Sequence, residues 1–468
     1  MNKLDLQPTI GNILNTFIND SIGRNADVCY FISLLDTLDE SNSIAINSDW
    51  GSGKTFFVKQ VEMVLSVHNQ FIQTVFEKNE KESIISHYSD VCEQLKVDKI
   101  ETLYLPIYYD AWKYDNDDDP VLSIVYEIIS TLNNKYDFEE LNIDFFKILK
   151  GITDILKLSG VYDLITSIKT DDDLKNIVKS RNLKCKIDEF FDKIPIEKAN
   201  KVIIFIDELD RCKPIYAVKL LERIKHYFNN DKIIFVFSTN LEELQSSVKC
   251  IYGENFNAYR YLDRFFDLKT NLPKADMEKY FSSIEFEKGQ CIFDRVCHKF
   301  IEKYNFQFRD ISKYVRYLKM TNYKLAHNCN NACFSDELGY NFCLEYLAPI
   351  IVGLFVYDIT MYRYFTNGSD SSPLIELLAD GEIGQFYFNK MLAKDEVYDD
   401  HTLVTHENKL NEIYDAIFNT SYDNGIYQRS IGNISINKNT KDYLFNIINL
   451  LSDESCKSWK TEKSTQNN

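Results

Sequence analysis

Over the first ~270 residues, short apolar runs alternate with stretches of helical spacing. Ala26–Leu38 reads as a helix, and Ser43–Asn47 (SIAIN) is a β-rich run that leads into a glycine-containing turn. Thr55–Val67 then resumes helical spacing. Leu103–Tyr108 reads as a second strand, followed by a helix over Val121–Asn134 with Asp119 as N-cap and Pro120 as first helical residue. Val202–Ile206 and Ile233–Phe237 are continuous apolar runs, the pattern of parallel strands buried on both faces, with a helix over Ile215–Phe228 between them. Strands alternating with helices predict an α/β doubly wound core. About residues 135–198 read as a helical insertion, and residues 275–365 as helices. Thr366–Pro373 (TNGSDSSP) reads as a linker, followed by a mixed region whose tail is polar from Ser452. The expected division is therefore 1–270, 271–365 and 366–468, the last without an assigned role.

Composition narrows this picture. The 468 residues are 45% hydrophobic, enough for a sizeable core. A formal net charge of -18 repels a phosphate backbone, which argues against direct nucleic-acid binding. The eleven cysteines are scattered and read as reduced thiols rather than a disulfide framework. The start Met-Asn-Lys-Leu-Asp lacks the apolar stretch of a secretory signal. Residues 143–168 are interrupted by Lys147, Lys150, Asp154, Lys157 and Asp163, and residues 346–357 fall short of the roughly 30 Å of a bilayer core. The expectation is a soluble cytoplasmic protein with no membrane span.

Candidate chemistry centres on Ser48-Asp49-Trp50-Gly51-Ser52-Gly53-Lys54-Thr55. Gly51 and Gly53 let the backbone curl so that successive N–H groups face phosphate oxygens. Lys54 is suited to reach the β/γ-phosphates, the Thr55 hydroxyl to bind Mg²⁺, and the helix start to attract the anion. Asp49, Trp50, Gly51, Ser52, Gly53, Lys54, Thr55 and Phe56 are the expected nucleotide-contacting residues. Ser48 stands where the first glycine of the usual pattern would be. The alternative is a surface turn that happens to contain this run. It loses ground because Lys201–Leu209 (KVIIFIDEL) is an apolar strand ending in carboxylates, the form of a Walker B strand. There Asp207 would hold Mg²⁺ and Glu208 would orient or deprotonate the attacking water. Asn240, after the strand Ile233–Phe237, is open to two readings: a γ-phosphate sensor or a helix N-cap.

The stretch Ile206-Asp207-Glu208-Leu209-Asp210-Arg211-Cys212-Lys213-Pro214 and the run at 49–55 resemble the KAP family of P-loop NTPases. Asp110-Ala111-Trp112-Lys113-Tyr114 and Tyr261-Leu262-Asp263-Arg264-Phe265-Phe266 add to the resemblance, with a weaker match at Phe308-Arg309-Asp310-Ile311 and Arg316. It covers roughly residues 20–365, with Ser48 for Gly and Glu208 for the commoner Asp as departures. The resemblance implies a P-loop core of the additional-strand type, with a parallel sheet, helices on both faces, a helical insertion between the Walker motifs and a mainly helical C-terminal region. It implies a nucleoside triphosphatase using ATP and Mg²⁺, and several relatives look like phage-exclusion or defence proteins. Arg264 and Arg309 match basic positions able to contact phosphates in cis or from a neighbouring subunit; a structural salt bridge is the other reading of each.

Other constellations weigh less. Cys297-His298, His327-x-Cys329 and Cys333 fit no closed zinc spacing. Asp115–Asp119 (DNDDD) lacks the glycine and distal glutamate of a calcium loop and reads as a solvated loop with a helix cap. No Asn-Lys-x-Asp-like guanine reader is present, which favours ATP. The expectation is an ATPase whose turnover drives a conformational switch in an oligomer or with a partner protein. The alternative is a nucleotide-gated scaffold with little turnover. A DNA-acting motor conflicts with the acidity.

Overall fold

The computed structural model describes residues 7–38, 40–135, 185, 187–188, 199–228, 230–289, 291–327, 337–380, 382–383, 389–391, 402–419 and 428–448. The 143–168 stretch and most of the expected insertion lie outside them. Helices α1 (Ile10–Ile18) and α2 (Asn25–Asp36) precede strand β1 (Asn42–Asn47), followed by α3 (Lys54–His68) and α4 (Lys78–Leu95). Then come β2 (Tyr104–Asp110), α5 (Pro120–Lys135), β3 (Lys201–Asp207), α6 (Pro214–Tyr227), β4 (Ile233–Thr239), α7 (Leu241–Tyr252), α8 (Ala258–Leu262) and β5 (Leu268–Asn271).

The five strands form one parallel sheet in the order β2-β3-β4-β1-β5. Every residue of β4 is buried and all but the first of β3, as their unbroken apolar runs require; β5, mostly exposed, closes one edge. Pro106, which has no N–H to give a ladder, is tolerated because β2 is the other edge strand. Successive side chains point to opposite faces. Val202, Ile204, Ile206, Phe235 and Phe237 join apolar residues of α5, α6 and α7 in one core cluster. On the other face, Lys59 of α3 lies 3.1 Å from the centroid of the Tyr108 ring.

Strand β4 separates β1 from β3, so the strand feeding the glycine turn and the strand ending in carboxylates are not neighbours. Both still run the same way and end at the same edge. That edge is where the chemistry gathers.

The chain divides into two compact units at Tyr280/Phe281. In the second, helices Ile292–Lys303, Phe308–His327 and Ala348–Tyr357 enclose an aromatic interior in which Phe300, Phe306 and Tyr314 pack edge-on or tilted. The Tyr314 hydroxyl donates to the Pro349 carbonyl (2.8 Å). An antiparallel hairpin, Gln428–Ile431 with Ile434–Asn437, leads into the helix Lys438–Ile448.

Two sequence expectations need correction here. The apolar run at 346–357 is longer than expected, because Glu337–Phe342, the π-helical turn Cys343–Leu347 and Ala348–Tyr357 are continuous. Leu338–Tyr357 thus makes one helix of 20 residues, long and apolar enough to cross a membrane by length and composition alone. Of its apolar window 67% is buried within the fold, as in a core helix. The expected linker at 366–373 is instead a pinned turn. Gly368 adopts φ +89, Asn419 donates to its carbonyl (3.0 Å), and the Tyr414 hydroxyl donates to the Phe365 carbonyl (2.7 Å).

Candidate nucleotide site

The β1–α3 turn takes its shape from its glycines. Gly51 and Gly53 have φ of +80 and +92, values that a side chain disfavours. Ser48 is not among the residues with positive φ, so serine fits there without backbone strain. Lys54, the first residue of α3, is 8% exposed, and its ammonium donates to the carbonyls of Ser48 (2.5 Å) and Asp49 (3.0 Å). Burial lowers its pKa, while Asp210, Asp207 and Glu208 pull it back up. The three carboxylates therefore lie within electrostatic reach of this lysine.

Asp207 ends β3 almost fully buried. One carboxylate oxygen accepts from the Glu208 backbone N–H (3.0 Å), the other from the Tyr108 hydroxyl (2.8 Å) on the neighbouring β2. Burial first and Asp207 second push the Tyr108 phenol well above its usual range, so it stays a donor. Glu208 sits at φ +60, a conformation costing a non-glycine residue about 1 kcal/mol or more. Its carboxylate meets the Arg211 Nε at 2.5 Å. Burial, then the negative charge of Asp207, raise the Glu208 pKa to about 7, with Arg211 acting in the opposite direction.

Asp210 joins two loops. Its Oδ2 accepts from the Trp50 indole N–H (2.6 Å) and from the Asn240 backbone N–H (3.1 Å). Asn240 caps α7, its side-chain oxygen accepting from the backbone of Glu242 (3.0 Å) and Glu243 (3.4 Å). The cap reading of Asn240 is thus visible, and it stands beside the phosphate loop through Asp210. Thr55 is half-buried in the first turn of α3, Phe56 is core, and Asp49 and Trp50 are exposed at the rim.

The structure does not gather every expected residue. Arg264 lies on an exposed turn shortly before β5, whose first residues pair with the start of β1. It therefore sits at the opposite edge of the sheet from Lys54 and cannot serve this site from within the same chain. Arg309 and Arg316 are exposed on the helix Phe308–His327 of the second unit. Asp115–Asp119 is engaged as a cap and contact loop: Asp119 pairs with Arg223 (3.0 Å), Asp117 accepts from Ser123 (2.6 Å), and Lys213 reaches Asn116. His298 hydrogen-bonds to the Phe286 carbonyl (3.1 Å), Cys297 is buried, and Cys329 and Cys333 lie outside the described residues.

Sequence reasoning missed Tyr108, which orients Asp207, and Arg24, whose guanidinium donates to the Ser52 carbonyl (2.9 Å). The Asp-Ala-Trp motif at 110–112 hinted that the end of β2 lies near the site. Nothing in the sequence marks Arg24, because its acceptors are backbone carbonyls.

Several buried oxygens at this edge have no hydrogen-bond partner: Ser52 Oγ, Asp210 Oδ1, Ser238 Oγ and Thr239 Oγ1. Unmet polar atoms of this kind are expensive unless a ligand completes them. Thr55 and Asp207 add hard oxygen donors of the type Mg²⁺ takes, alongside phosphate and water. The residues present fit a magnesium–nucleotide pair. A family model described as KAP family P-loop domain matches residues 29–288, and no curated protein matches the chain.

Proposed function

Since the chain belongs to the KAP family of P-loop NTPases, we propose that it binds ATP with Mg²⁺ at the β1–β4–β3 edge, hydrolyses it, and couples turnover to a conformational switch. The observation that supports this best is the bond from the Trp50 indole N–H to Asp210 (2.6 Å), which joins the glycine turn after β1 to the carboxylate-bearing turn after β3, a strand not adjacent to β1. Thr55 and Asp207 would hold the metal, which when bound neutralises charge on the β- and γ-phosphates. Lys54 contributes a further positive charge to the transferring group. Glu208, with its pKa near neutrality, is matched to accept a proton from the attacking water. Arg264 is a candidate for a neighbouring subunit's site if the chain assembles into an oligomer.

The Glu208–Arg211 ion pair (2.5 Å) favours a second reading. A base held by a cation is a poor proton acceptor, so the chain would act as a nucleotide-gated scaffold with little turnover. Phosphate release by the purified full chain with Mg-ATP, compared with Glu208→Gln, separates the two. A rate that collapses in the variant supports hydrolysis; equal, negligible rates support the scaffold. Bacterial defence against phage is the setting the family resemblance suggests. Plaque counts on a host carrying the wild-type or Lys54→Ala chain test it, and equal counts would remove that role.

A further inference from the structure

Arg24 stands at the start of α2, 2% exposed. One guanidinium nitrogen donates to the Ser52 carbonyl (2.9 Å) and the other to the Pro273 carbonyl (2.7 Å), joining points far apart in sequence with the two arms of one planar fork. Ser52 lies between the two left-handed glycines, and no peptide bond here is cis. In a trans peptide the C=O of one residue and the N–H of the next point in opposite directions. Holding the Ser52 carbonyl from behind therefore fixes the direction of the Gly53 N–H, aiming it away from Arg24.

The far arm ends on a segment that is already stapled to the same turn. The Asp276 N–H donates to the Ile22 carbonyl (3.0 Å), and Lys279 pairs with Asp20 (2.5 Å). Gly23, at φ +66, lies so close that a Cβ there would come 2.4 Å from the Asp276 Cβ. Residues 20–24 and 273–279 are thus tied together at several points, and Arg24 is the side chain among them seen to reach the phosphate loop. Residues 273–279 are also the stretch through which the chain passes from β5 towards the second unit, which begins at Phe281.

We infer that Arg24 is a positioning residue that sets the phosphate loop's amides and transmits the loop's occupancy to residues 273–279. The inference rests on the loop binding nucleotide, as proposed above. Burial pulls the Arg24 pKa down to about 10, the mark of a cation stripped of much of its hydration and so favourable to an incoming polyanion.

The test uses the full chain, with Mg-ATP affinity measured by equilibrium dialysis and amide hydrogen exchange followed over residues 272–280. In the wild type, bound nucleotide should slow exchange in that segment. Arg24→Gln should weaken binding about tenfold and abolish the nucleotide-dependent slowing even at saturation, and Arg24→Lys should restore part of both. Lys279→Gln, altering only the exposed end of the staple, should leave affinity within about twofold. Should Arg24→Gln fail to fold, Gly23→Ala takes its place, since it pushes on Asp276 and must blunt the same exchange response. Wild-type affinity and response in either variant, or a wild-type segment indifferent to bound nucleotide, would overturn the inference. A wild type that binds no nucleotide would instead remove the reading beneath it.

Discussion

The two units differ in whether they bury charge. In the second, no Lys, Arg, Asp or Glu among the described residues is buried. Its buried histidines and threonines are satisfied (His298 on Phe286, His406 on Ala379, Thr366 on Tyr362, Thr440 on the Asn437 N–H), while the neutral Tyr304 Oη and Asn389 Oδ1 are not. The ion pairs it forms are at the surface, as between Lys303 and Glu376 (2.7 Å). At the nucleotide edge of the first unit, by contrast, Lys54, Asp207 and Asp210 are buried together, and Asp210 Oδ1 and Ser52 Oγ go unmatched. Burying charge with incomplete partners costs stability. The lesson is where, among the described residues, charge is buried: Arg24, Lys54, Asp207 and Asp210 all lie at or against one sheet edge, where a polyanion and a metal can complete the set.

If that contrast is sound, mutations should sort by region. Lys54→Ala should reduce phosphate release by about 10²–10³-fold or more, measured with Mg-ATP in excess; near-normal turnover would break the comparison outright. Glu208→Gln should lower turnover by about 10²-fold while nucleotide affinity stays within a few-fold, seen by direct binding. Leu354→Ala, fully buried in the second unit, should lower unfolding free energy by about 2–5 kcal/mol without changing nucleotide affinity at a temperature where the variant is folded. Lys299→Ala, which loses surface pairing to Asp380, should cost less than about 1 kcal/mol in a denaturant titration.

The Glu208 carboxyl sharpens the contrast through pH. Its pKa rises on folding from 4.5 to about 7, so the folded chain holds that proton more tightly than the unfolded one. Stability from this group is therefore greatest at low pH and declines as pH climbs from about 4.5 through about 7. Turnover should climb over the upper part of that interval. Thermal melts of Glu208→Gln should lack this component of the decline; identical pH profiles in both proteins would dismiss Glu208 as its source.

Much of this was legible in the chain. Unbroken apolar runs gave β3 and β4, because a central parallel strand has no solvent face to punctuate it. The glycine turn and the Asp207-Glu208 pair were legible because each chemistry demands fixed residue types in fixed order. The residues that hold them in place were not. Arg24 binds carbonyls, which carry no sequence signature, and Tyr108 looks like any core aromatic of β2. That Arg264 lies away from its own chain's loop was not legible, because a motif says nothing about which end of a strand it borders. The length of the 338–357 helix depended on a π-turn that bridges two segments, a device with no local code.

The bond between the Trp50 indole and Asp210 has a practical consequence. The chain has three tryptophans, Trp50, Trp112 and Trp459, and the first sits half-exposed on the phosphate loop with its ring nitrogen tied to a buried carboxylate. Replacing the other two with phenylalanine would leave one tryptophan, excited selectively over the 30 tyrosines, whose emission reports on that contact. Stopped-flow mixing with nucleotide could then time the rearrangement of the loop without any attached dye.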